Sequence, residues 1–535
     1  MAEMTKTLQP VLHITGCYGN TVTVDGVTVC GQVWLGDSVL APLQLKAAIV
    51  AADAAGQLPE FLASLNGFFS VLCQLETQLL CFSDKVRSRP LYYTLVKQQI
   101  IISDSAELIC SQYLPHAGIS ALTQQEFEHT GFVTGKDTLH PAVKQLQAAE
   151  LLQVNLDTMH LCTELYYCFI PYNNVEPNTD IVGWQRKLDA VVSKVVNRLI
   201  RYAAGRQIVV PLSGGYDSRA LALYLKQAGY TNVLCFTFGR PGSAEVELSK
   251  RVAAELGFAW HCVQYNRQLW QNLLQQGRFN DYLSFVHGLV SVPNVQVFPA
   301  IQQLFDEGVI APDAVVAPGH TAAFFSGDTS HSGQPSDNNW PELALQAVIS
   351  RHYQNSRHAL TDELITKVRQ QIAEITVVAR QQGIENSNSV AEAWNYRERQ
   401  AKFIINSNRY YDFFALDWWM PFWDSEFMAF WQQVPYNLRR KKTLWTGFVE
   451  QAMLAYSGNP VPYGHASVKK YRWLTRCYSW FNYFLDDNHL YTLVPFNRWL
   501  LFKLRLSRTS GTVFGNLAMR CLRSYHNRFA AKSRN

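Results

Sequence analysis

Short apolar runs broken by turn residues fill the first hundred positions of this chain. Thr21-Val22-Thr23-Val24 and Val27-Thr28-Val29-Cys30 flank Asp25-Gly26, the sequence of a type I′ hairpin, whose two central residues both need positive φ. Further short strands are expected across 68–82, 91–96 and 99–103, so the first domain reads as β-rich. A polar stretch at 172–178, with Asn and Pro clustered in it, reads as a linker. Beyond it the period changes. Leu188, Val191, Val192, Val195 and Leu199 recur at helical spacing and form one apolar stripe. Apolar runs of strand length follow at 207–210, 233–238, 260–264 and 314–317, with helical stretches from about Ala220 and over 245–256. Alternation of this kind predicts a parallel α/β sheet with ligands at the carboxyl ends of its strands. A polar loop is expected over 333–341, and 343–455 reads as helical and rich in aromatics.

Composition fits an ordered protein of two or three domains. The 535 residues are 48% hydrophobic and 17% charged, enough apolar content for proper cores and too much for a disordered chain. No apolar h-region follows the polar start and no apolar run reaches bilayer length, so a cytoplasmic location is expected. The 11 cysteines are scattered, without Cys-x-x-Cys pairs, which argues for reduced core thiols and against a zinc site or a disulfide framework. Charge is uneven. Residues 468–535 hold thirteen Lys or Arg against Asp486 and Asp487, a net of +11 in a chain whose total is +5. Trp480, Phe481, Tyr483, Phe484, Trp499 and Phe502 are interleaved with them. Such a segment is attracted to anionic membrane surfaces, or packs its aromatics back on the protein and solvates its charges. No nucleic-acid partner is expected.

The stretch with the most chemical content is Pro211-Leu212-Ser213-Gly214-Gly215-Tyr216-Asp217-Ser218-Arg219, set between a strand and a helix. A Ser-Gly-Gly turn there leaves backbone N–H groups uncovered and aims them, with the helix N-terminus, at one point that attracts phosphate. Asp217 adds a carboxylate beside the phosphates, where an acid commonly holds Mg²⁺. The Walker pattern is absent. A tight turn with Asp217 serving only as a first-turn dipole partner is the plainer alternative.

The segment from Leu212 to Ser218 resembles the SGGxDS signature of PP-loop synthetases, which cleave ATP to AMP and pyrophosphate. Leu65-Asn66-Gly67-Phe68-Phe69-Ser70-Val71, Ser83-Asp84, Arg89-Pro90-Leu91-Tyr92-Tyr93 and Ser103-Asp104, in that order, resemble the class II amidotransferase-like domain of asparagine synthetases. Pro421-Phe422-Trp423-Asp424 resembles the Pro-Phe-Leu-Asp element of their synthetase domain. The resemblance runs from about residue 15 to about 450, and the family includes β-lactam synthetase and lasso-peptide cyclases. It implies an α+β, Ntn-hydrolase-like β-rich sandwich over 1–172, then an α/β parallel-sheet PP-loop domain over 180–460 with a helical C-terminal part, and a basic extension over 461–535. It implies ATP and Mg²⁺, with Leu212, Ser213, Gly214, Gly215, Asp217, Ser218, Phe238, Arg240, Pro318 and Gly319 around ATP and pyrophosphate, and Asp217 on the metal. The activity implied is adenylation of a small-molecule, sugar or peptide carboxylate and its capture by ammonia or an amine.

Two departures qualify it. Family glutaminases use a cysteine directly after Met1, with its own α-amine as base; Ala2 stands here and the first cysteine is Cys17. An inactive glutaminase half is therefore expected. In Pro318-Gly319-His320-Thr321-Ala322-Ala323-Phe324, alignment on Gly319 puts His320 at the family's acid/base position and Ala323 where its metal-binding aspartate belongs. His320 is chemically suited to take a proton from an amine. The family's catalytic lysine points to Lys469 or Lys470, whereas Arg439-Arg440-Lys441-Lys442 reads as a solvated face. Two other readings stay open: a glutamine-hydrolysing asparagine synthetase, and a binding protein that kept the fold without the chemistry.

Overall fold

The computed structural model describes residues 10–458 apart from 16–19, 115–117, 173–179, 240–241, 267, 270–271, 274–275, 329–338 and 357. Ala2, Cys17, Arg240, Lys469, Lys470 and the basic extension lie outside the described residues, as does most of the expected linker.

Alternation along the strands of the first half sorts side chains into layers. In chain order its strands are β1 (Val11–His13), β2 (Thr21–Val24), β3 (Val27–Leu35), β4 (Ser38–Val39), β5 (Leu65–Gln74), β6 (Gln78–Ser83), β7 (Tyr92–Val96), β8 (Gln99–Ser103), β9 (Lys144–Gln145), β10 (Glu150–Asn155) and β11 (Leu161–Leu165). They form a four-stranded sheet, β1-β8-β7-β9, and a seven-stranded sheet, β11-β10-β6-β5-β3-β2 with β4 on β3. Asp25-Gly26 makes the expected hairpin, both residues at positive φ. Val71 and Cys73 of β5 pack with Leu45 and Ile49 of α1 (Pro42–Ala54) and Leu58 and Leu62 of α2 (Leu58–Ser64). Leu72, between them, faces the other way and meets Ile100 and Ile102 of β8. Ile101 in turn joins Ile109 of α3 (Ala106–Tyr113) and Phe127 of α4 (Ala121–Thr130) on the far side. The layers run helix, sheet, sheet, helix.

The second half begins with α5 (Ile181–Ala203), capped by Asp180, whose side chain accepts from the Gly183 N–H. Of its expected stripe, Leu188, Val192, Val195 and Leu199 are buried and Val191 is half-buried. Then come β12 (Ile208–Pro211), β13 (Val233–Gly239), β14 (Ala259–Gln264), β15 (Val315–Val316) and β16 (Asp417–Trp418), a parallel sheet in the order β14-β13-β12-β15-β16. The winding reverses between β12 and β15, so a crevice opens there at the carboxyl ends. The helical reading of 343–455 needs correction at β16, and the reading of 333–341 as loop needs it at its end. The Trp340–His352 helix starts inside that span with Pro341 in its first turn, where no intrahelical N–H is lost.

The halves share one apolar core, in which Trp34 and Phe68 lie with Val210 and Trp418. Phe68 meets the Trp419 ring edge-on at 4.7 Å. Asn66 Nδ2 donates to Asp424 Oδ1 at 3.0 Å, and Asp424 pairs with the buried Arg198. The Pro421–Asp424 element is thus a structural joint between the halves.

Candidate functional site

The Ser213-Gly214-Gly215 turn follows β12, and α6 (Tyr216–Gln227) starts directly after it. Gly215 is the N-cap, extended at φ −78° and ψ 169°, and no side chain caps the helix. Hydroxyls brace the turn instead. Ser213 N–H donates to Ser218 Oγ at 3.1 Å, and Gly215 N–H donates to Ser213 Oγ at 3.1 Å. Below it, Arg219, fully buried, donates to the Gly214 carbonyl at 3.2 Å. Gly214 lies over α7 (Ala244–Leu256): a Cβ there would be 3.3 Å from Leu248. Leu212 is buried beneath the turn.

The other wall of the crevice is the loop after β15. Gly319 crosses the start of α6 so closely that a Cβ on it would lie 2.6 Å from both Ser218 N and Ser218 Cα. A side chain at 319 would therefore push apart the two loops at the reversal of the sheet order. Sequence reasoning placed both loops in one site, and the structure brings them together. Pro318, beside Gly319, is buried. Phe238, at the end of β13, stacks on Tyr265 with ring centroids 5.0 Å apart and planes 21° from parallel. The pair lies at the carboxyl end of β13, the strand beside β12.

His320 is half-buried, and its Nε2 is a buried atom with no hydrogen-bond partner among the described residues. Burial pushes its pKa down to about 4, with the Asn408 side chain acting the other way. The ring is neutral at pH 7.

Ala323, at the position of the missing aspartate, contributes its backbone: its N–H donates to Asp217 Oδ2 at 3.0 Å. Asp217 Oδ1 accepts from Trp445 Nε1 at 2.8 Å. Among the described residues no group of three His, Cys, Asp or Glu could hold a metal ion. A lone carboxylate beside a phosphate cradle does fit Mg²⁺, which keeps several waters and takes the rest of its ligands from substrate phosphates.

The basic run Arg439–Lys442 is a solvated face at Arg440 and Lys441 but not at Arg439. Arg439 is buried, donates to the Phe325 carbonyl at 2.9 Å and pairs with Glu392. The run packs on 324–328: a Cβ on Gly327 would collide with the Arg439 carbonyl. Lys441 is exposed, whereas Lys442 is half-buried and caps the Thr443–Ser457 helix. It stands three residues before Trp445 in the chain.

Residues 187–276, which span the Ser-Gly-Gly turn, match the family model described as asparagine synthase. That segment is similar to the asparagine synthase family. A protein of Acanthamoeba polyphaga mimivirus, described as a probable glutamine-hydrolysing asparagine synthetase, is 26% identical over 217 residues, 38% of this chain and 37% of its own length. The matched part is thus little more than a third of that relative. Among solved structures, an NH3-dependent NAD synthetase from Campylobacter jejuni aligns with 14% identity over 37% of this chain and 95% of its own (TM-score 0.21). An NMN synthetase from Francisella tularensis aligns with 15% identity over 42% and 94% (TM-score 0.22). Among the described residues no helix is long and apolar enough to cross a membrane.

Proposed function

We propose that this chain is an ATP-dependent amide-forming synthetase. A substrate carboxylate attacks the α-phosphorus of ATP, pyrophosphate leaves, and an acyl-adenylate forms. Ammonia or an amine then attacks the acyl carbon, AMP leaves, and the attacking nitrogen loses a proton. The observation that carries this reading is the meeting of the Ser213–Gly215 turn with Gly319 at the reversal of the parallel sheet, with Asp217 beside it.

Each group has a role that follows from its chemistry. The turn and the α6 N-terminus offer backbone N–H groups to the pyrophosphate. Asp217 would hold Mg²⁺, which supplies positive charge against the leaving pyrophosphate. Lys442, three residues before the tryptophan that bonds Asp217, is the candidate for a fixed cation there. The Phe238–Tyr265 pair offers an apolar face for a purine. His320, neutral, can accept a hydrogen bond from the incoming amine. A pKa near 4 makes it a weak base, so its use lies in orienting the nucleophile as much as in taking its proton. The first half, with its two-sheet stack, is read as an amidotransferase-like domain.

Substrate-dependent ATP–pyrophosphate exchange, screened over small-molecule, sugar and peptide carboxylates, tests this function. Exchange is expected in the wild type and lost in Asp217→Asn, with no glutamate released from glutamine. Wild-type exchange in Asp217→Asn would remove the phosphate site from the mechanism. Glutamate release by protein with an intact N-terminus would favour the glutamine-hydrolysing reading. No exchange over the whole panel would favour a non-catalytic binding protein.

A further inference from the structure

The two donors that meet Asp217 come from positions 106 and 228 residues away in the chain. Both bonds, at 3.0 and 2.8 Å, have ordinary lengths for N–H···O contacts. The Ala323 N–H is fixed by the loop backbone. The indole is fixed by packing: Trp445 is fully buried, 5.4 Å from Phe422 and 6.0 Å from Phe427 edge-on, and stacked on Phe448 at 5.9 Å. It cannot turn without displacing three aromatic rings.

An indole N–H donates one hydrogen bond and accepts none, so it cannot itself bind a metal. What it can do is choose the orientation of its acceptor. With one N–H donor on each oxygen, such a clamp sets the direction of the carboxylate. Where a second acid is lacking, at Ala323, the position of the remaining carboxylate matters more.

We propose that Trp445 is the positioning residue for Asp217, holding the carboxylate in its metal-facing orientation before nucleotide arrives. The inference rests on the reading of the crevice as an ATP site. It makes the Thr443–Ser457 helix, through its buried face, a working part of the phosphate site, by an N–H donor and not by a charge.

Calorimetric titration of ATP at a series of Mg²⁺ concentrations tests it without turnover. Trp445→Phe keeps a ring among its aromatic neighbours and removes the N–H. The Mg²⁺ concentration needed for half of the magnesium-dependent gain in ATP affinity should rise roughly tenfold, the scale of a lost hydrogen bond to a charged group. ATP affinity without Mg²⁺ should stay unchanged, and Trp445→His, which keeps a ring N–H, should recover part of the loss. In an Asp217→Asn background, Trp445→Phe should add nothing, since the two act as one unit. Unchanged or tighter Mg²⁺ dependence in Trp445→Phe overturns the proposal, as does an equal shift in the Asp217→Asn background, the mark of a structural effect. A folded wild type that binds no ATP at any Mg²⁺ concentration overturns the nucleotide reading, and this inference with it. That result is distinguishable because it appears before any substitution is made.

Discussion

A histidine that stays neutral well below neutral pH has a measurable consequence. Burial sets the His320 pKa to about 4, below the ordinary value of 6.5. Between those values the unfolded chain binds the proton that the folded chain refuses. The stability contributed by the neutral ring is therefore fully present above about pH 6.5 and is lost as pH falls towards 4. Proton-detected NMR of labelled histidines should show one ring titrating near pH 4, its signal absent from His320→Asn. The stability of that variant should fall less steeply than the wild type between pH 6.5 and 4. A full set of histidines titrating near 6.5 would contradict the burial argument and return His320 to the role of an ordinary general base. The residue itself was legible through the family resemblance, because alignment on Gly319 singled it out. Its environment was not, since Asn408 reaches it from 88 positions later in the chain.

At the scale of elements, the strand–turn–helix unit around Ser213 was readable because its signals are local: an apolar run, two glycines, then a helical stretch. β16 was not. It is two residues long, sits in an aromatic-rich helical region, and is a strand only because β15 lies beside it. The Thr443–Ser457 helix shows the same limit. A run of four cations reads as solvated until its neighbours are known, and only the fold reveals that Arg439 is buried and that Lys442 precedes a tryptophan bonded to Asp217. If Lys442 supplies positive charge to the transferring phosphate, Lys442→Met should lower the exchange rate about 100-fold, the scale of one removed electrostatic donor. Thermal stability should hardly move, because the residue is half-buried at a helix end and its aliphatic stem is preserved. Exchange within a factor of two of wild type would assign the charge at this corner to another residue.

For the whole molecule, the sequence motifs pointed to two domains, and the structure shows how firmly they are joined. Arg89, from the loop before β7, and Asp412, from the segment before β16, pair at 2.8 Å with both side chains buried. Asp412 also accepts from Trp418 Nε1 at 2.8 Å, and the Arg89 guanidinium lies 4.6 Å from the Trp418 ring. Conventional reading of two motif sets as two separable units misses this, because the pairing lies between residues more than 300 positions apart. Breaking a buried ion pair on one side leaves an uncompensated charge and typically costs about 3–5 kcal/mol. Arg89→Met should therefore destabilise both halves together, since Asp412 stands next to the strand that closes the parallel sheet. Hydrogen exchange should speed up in β5 and β7 of the first half and in β16 and the 409–413 helix of the second. Loss of protection confined to the first half would mean that the two halves open independently, and that the first half has no mechanical hold on the crevice of the second.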